Sequence, residues 1–250
     1  MLLLILHLIV PMFFYSGVTS FLFLGLKLDA LIATALAAAI CAPLFYSIFR
    51  RDQRNRGISS AISLKLHGCF FHILVFGAAL CVCGNEIIAL LGLAHNSQTY
   101  EEVKNVLYAP PVPVQILASG FLIPVTEELI FRGLCFSPLR DRLSFWPAAV
   151  LSAALFGIYH GNLPQGVYAF LIGMAVAWLY EVSKTLLAPC LLHMSANLLS
   201  LLVTNTVFAG MLFKTENKAV MAAAAALSFA VAVICAIRIY SKNKLKEDMV

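Results

Sequence analysis

An all-α, polytopic integral membrane fold with about eight transmembrane helices follows from three features of this sequence. Of its 250 residues 62% are apolar and only 12% charged, with a mean hydropathy of +0.92. An ordinary soluble domain is about 45–50% apolar and about 25% charged. The apolar residues are gathered into long runs, near the roughly 20 residues a spanning helix requires. The charges fall mostly between the runs and are unevenly divided between the two sides. Together these exclude a soluble enzyme and a disordered chain. The net charge of +5 does not indicate nucleic acid, because no soluble basic face exists to bind it. The partner indicated is the lipid bilayer; the oligomeric state is left open.

The runs justify the helices one by one. Residues 2–26 form the first. No Lys or Arg precedes it and no clean A-x-A site follows, so a retained helix is expected rather than a cleaved signal. Residues 28–49 form the second, ended by Arg50, Arg51, Arg54 and Arg56. Residues 69–94 form the third, and His95 to Pro111 is expected to be a polar loop. Residues 112–136, 145–160, 164–181, 185–211 and 219–240 form the rest, of which the fifth run is short. A single membrane domain over 1–250 is expected, since no repeat, linker or second domain is visible.

Lys and Arg set the orientation. With eight helices both termini share a side with Arg50, Arg51, Arg54, Arg56, Lys65, Arg132, Arg140, Arg142, Lys184, Arg238, Lys242, Lys244 and Lys246, which is thirteen. The other side holds four, Lys27, Lys104, Lys214 and Lys218. Both termini are therefore expected in the cytoplasm, in a bacterial plasma membrane. The seven cysteines lie in or beside apolar runs and form no CxxC. They read as small packing residues rather than as disulfides or zinc ligands.

Ionisable groups inside a span are costly and turn toward the bundle interior. The fourth run contains Glu127-Glu128-Leu129-Ile130-Phe131-Arg132. Glu128 and Arg132 are four apart, share a helix face and can pair. Glu127 lies about 100° round the helix, outside that pair, and an unpaired carboxylate there suits a general base or acid. The opposing reading is that all three charges sit at the membrane surface. Arg132 and the basic loop after it suggest a cytoplasm-facing site. The fifth run ends in Phe156-Gly157-Ile158-Tyr159-His160, and the seventh holds His193 and Asn197 four apart on one face. That pair can be interhelical glue or two donors to an oxyanion. Glu86, in the third run, is the unexplained carboxylate: partly buried, paired with a lysine, or lining a substrate path. His7, His67, His72, His95, Glu181 and Lys184 carry no comparable signal.

Three helices thus bring a free carboxylate, an imidazole and a donor pair in the order E-E-x-x-x-R, F-x-x-x-H, H-x-x-x-N. That set resembles the CPBP family, the CAAX proteases and bacteriocin-processing enzymes, also called Abi. The resemblance covers residues 112–205. It implies an intramembrane endopeptidase that cuts a peptide bond in a membrane-near protein or peptide, by CAAX-type or leader- or bacteriocin-type processing. It implies that Glu127 and His160 activate a water, that His193 and Asn197 steady the oxyanion, and that Glu128, Arg132 and Phe156 support them. No cofactor is expected. Zinc held by Glu127, His160 and His193 is the alternative, although no H-E-x-x-H pair is present. A non-catalytic scaffold or immunity protein of the same family is the alternative function.

Overall fold

A computed structural model describes residues 2–58, 66, 68–94, 97–206, 215 and 217–247. His67, His95, Lys65 and Lys214 lie outside them. The described residues are helical throughout, apart from short connections.

Each of the eight apolar runs contains a helix, and residues 207–211 of the seventh run lie outside the described residues. The first is α1, Leu2–Ser20, continued by a π-helical segment Phe21–Gly25. The second is α2, Ala30–Asn55, whose first turn is capped by Asp29 Oδ1 accepting from Leu31 N at 2.9 Å. It runs past the apolar run into the arginine cluster, as Lys and Arg are favoured at a helix C-terminus. The third is α3, Phe70–Leu90.

A polar loop was expected between His95 and Pro111. That segment contains a further helix, α4, Gln98–Tyr108, started by Ser97 Oγ accepting from Tyr100 N. It is amphipathic and too short to span, so a count of long apolar runs passes over it.

The fourth run is one continuous span, α5, Val112–Arg140. It alternates α and π winding. The α turns Ile123–Glu128 lie between π segments Ile116–Leu122 and Leu129–Phe136. Then come α6, Phe145–Tyr159; α7, Leu163–Ser183; α8, Leu187–Asn205; and α9, Lys218–Glu247. Six of these helices are long and apolar enough to cross a bilayer, and α1 and α6 are shorter apolar helices.

Helix α6, at 15 residues, extends only about 22 Å against a hydrocarbon core of about 30 Å. A helix of that length stops short of one face of the bilayer. The chain reverses after it at Gly161, φ 71°, and Asn162 Oδ1 caps α7 by accepting from Gln165 N at 3.0 Å. Glycine permits both the turn and the close α6–α7 packing: a Cβ on Gly157 would meet the Gly166 carbonyl oxygen at 2.6 Å.

Two ends of the bundle can be told apart. Arg56 pairs with Asp141 at 3.0 Å, Arg140 with Glu181 at 2.9 Å, and Lys242 donates to Gly68 O. The ends of α2, α5, α7 and α9 and the start of α3 thus meet at one basic end. Helix α4 lies at the other, where Gln115 Nε2 donates to Tyr108 O and Asn205 Nδ2 to Gln115 Oε1. Arg132 does not belong with the loop cations, because it is fully buried.

Candidate active site

The site is built on α5. Thr126 Oγ1 donates to Ala38 O of α2, and Ser152 Oγ of α6 donates to Phe131 O of α5. These bonds fix the α turn that carries Glu127 and Glu128. The flanking π segments add a residue to each turn and so reset which side chains face inward.

The carboxylates are interior. Glu127 is 7% exposed, and Glu128 and Arg132 are 0% exposed, which overturns the membrane-surface reading. Arg132 Nε lies 3.2 Å from Glu128 Oε2, as the four-residue spacing predicts. Arg132 Nη2 also donates to Gly173 O of α7 at 3.1 Å, and its guanidinium stands 4.8 Å from the Phe156 ring centre. A Cβ on Gly173 would come within 3.2 Å of that nitrogen. The glycine is thus the space into which the arginine fits.

His193 of α8 joins this pair. Its Nδ1 is 2.8 Å from Glu128 Oε1, and its Nε2 is 3.7 Å from Glu127 Oε2. With Glu128 ion-paired to Arg132, the natural assignment is an Nδ1–H donating to the carboxylate. Asn197, four residues on, lines the same cavity and donates to Ser119 O of α5 at 2.8 Å. One amide hydrogen remains for another acceptor.

His160, at the C-terminal end of α6, has Nδ1 2.8 Å from Phe156 O. A carbonyl oxygen only accepts, so Nδ1 carries the hydrogen. The neutral ring's Nε2 is then an acceptor. The Phe156 ring meets both imidazoles edge-on, at 4.9 Å from His160 and 5.7 Å from His193.

Glu127, His160, His193 and Asn197 line one cavity of about 230 Å³. Its polar wall also includes Ser119, Tyr100, Lys104, Tyr108 and Tyr168. Tyr108 Oη lies 3.3 Å from Ser200 Oγ, tying α4 to α8. None of these residues was singled out in the sequence. Tyr100, Lys104 and Tyr108 are four apart on one helical face after a Ser97 cap, which is a legible signal once α4 is read as a helix. Ser119 has none: an isolated serine in an apolar run is ordinary. The cavity lies toward the α4 end, opposite Arg140 and Arg142.

Among the described residues no three His, Cys, Asp or Glu side chains are arranged to hold a metal ion. Within the set suggested for zinc, His193 Nδ1 is engaged by Glu128 and His160 Nδ1 by Phe156 O. Bonds at Nδ1 leave the Nε2 of each ring available, which is how histidine ligands are commonly held.

Residues 109–199, which carry every one of these motifs, match the model of the family described as "Type II CAAX prenyl endopeptidase Rce1-like". This segment is thus similar to the CPBP family. The chain is 27% identical over 147 residues to "Putative membrane peptidase YdiL" of Bacillus subtilis (strain 168), covering 59% of this chain and 58% of that one. It is 35% identical over 98 residues to "Uncharacterized 24.3 kDa protein" of Escherichia coli, 37% of this chain and 45% of the relative. It is 25% identical over 97 residues to "UPF0177 protein YxdF" of Lactococcus lactis subsp. lactis (strain IL1403), 38% and 53%. The alignments thus span about half the length of these relatives. No solved structure matches the chain. The matched segment runs from α5 into α8, helices that wall the cavity together with α3 and α4.

Proposed function

We propose that the chain is an intramembrane endopeptidase that hydrolyses a peptide bond in a membrane-near segment by a water activated between Glu127 and His160. The observation that carries this reading is the pairing pattern. Glu128 is neutralised by Arg132, whereas Glu127, beside it, has no arginine or lysine partner and faces the cavity.

In this reading Glu127 takes a proton from the water, which His160 Nε2 orients by accepting its other hydrogen. The oxygen attacks the scissile carbonyl carbon. The oxyanion is met by the free Asn197 amide hydrogen, and by His193 Nε2 when that ring carries its second proton. Glu127 then passes its proton to the leaving amine as the C–N bond breaks. Glu128 and Arg132 hold His193 in place and touch no reacting atom. No step requires a metal. Substrate enters from the α4 end, the lysine-poor and arginine-free side, which the positive-inside rule assigns away from the cytoplasm.

The test is cleavage of a pool of labelled peptides and leader-bearing precursors by purified protein. Glu127→Gln should lower the rate about a thousandfold while leaving the helical signal and melting temperature near wild type. Cleavage at an undiminished rate by that variant would sink the reading.

A further inference from the structure

Glu86 is not used in the proposed hydrolysis, yet it is 7% exposed and lies in the last turns of α3, Phe70–Leu90, at the α4 end. Among the described residues it makes no ion pair and no hydrogen bond, so neither of its two carboxylate oxygens is matched by the protein. An unpartnered carboxylate at a largely enclosed site attracts a cation more strongly than one in open water.

It lines a second cavity of about 460 Å³, together with Thr204, Val203 and Met221. That cavity and the Glu127 cavity share a wall made of Asn85, Ile88, Tyr100, Lys104 and Ser200. The two spaces therefore adjoin beneath α4. The cation at the junction, Lys104, is held by Glu101 on its own helix at 3.2 Å. Glu128 is already neutralised by Arg132. The adjoining cavities are left with two carboxylates that no lysine or arginine pairs with, Glu127 at one end and Glu86 at the other.

Resting on the peptidase reading, we propose that the Glu86 cavity is a substrate subsite that takes the cationic side chain, lysine or arginine, of the peptide being cut. A peptide lying along the shared wall puts its scissile bond at Glu127 and a basic residue at Glu86. The apolar body of a lysine or arginine side chain suits the aliphatic part of this lining, and its charged head meets the carboxylate.

The experiment uses purified full-length protein and synthetic membrane-anchored peptides that carry lysine, norleucine or glutamate at each position in turn. Cleavage is measured with the wild type, and binding by anisotropy with Glu127→Gln. At one position lysine should exceed norleucine by about tenfold, in binding and in kcat/KM. Glu86→Gln should bring that ratio to about one, and Glu86→Lys should favour the glutamate peptide instead. A ratio near one in the wild type, or a ratio unchanged by both Glu86 substitutions, overturns the subsite. Lysine-selective binding without cleavage of any peptide would instead overturn the peptidase reading and leave the subsite standing.

Discussion

His193 Nδ1 is bound to Glu128 Oε1 at 2.8 Å, and the same ring turns its other nitrogen toward the neighbouring Glu127. One glutamate orients the imidazole and the adjacent one is left facing the cavity. The two carboxylates of the E-E motif therefore have different environments although they are sequence neighbours. Arg132 is what separates them, because it neutralises only Glu128.

Arg132 should accordingly be the most stability-critical side chain of the site. Arg132→Met removes the partner of a fully buried carboxylate, and breaking such a pair costs about 3–5 kcal/mol. A thermal melt in detergent should show a large loss of stability together with loss of cleavage. An unchanged melting temperature would mean that Glu128 finds another partner.

Gly157 places His160 indirectly, through the close α6–α7 approach. Gly157→Ala should force the helices apart, at a cost of about 1–3 kcal/mol. The turn carrying His160 should shift and the rate should fall. The comparison is with Gly17→Ala, where an added Cβ meets nothing within 4 Å; that substitution should leave both stability and rate near wild type.

Dialysis against a zinc chelator should leave peptide cleavage within about twofold of the untreated protein, as expected if the water is activated by Glu127 and His160 directly. Activity that is lost on chelation and restored by zinc would replace this with metal chemistry.

Sidedness is testable without a substrate. In intact cells an impermeant maleimide should label Lys104→Cys, on α4, and should label Arg51→Cys only after permeabilisation. The native cysteines described are buried, which keeps the background low. The reverse pattern would place the cavity mouth in the cytoplasm.

The sequence by itself determined the membrane class, the eight apolar helices and the Glu128–Arg132 pair. These are local matters: run length is set by bilayer thickness, and a spacing of four residues puts two side chains on one helix face. It also supplied the E-E-x-x-x-R, F-x-x-x-H and H-x-x-x-N set, whose helices do gather round one cavity. Only the tertiary structure decided how the set is joined. That His193 rests on Glu128, that Gly173 leaves room for Arg132, and that Asn197 is bonded to Ser119 are contacts between helices far apart in the chain, and no periodicity encodes them. The tertiary structure also turned α4 from an expected loop into a wall of the cavity and set that cavity at the end opposite the arginines. Helix α4 is short and polar, so its place depends on what it packs against rather than on its own hydrophobicity.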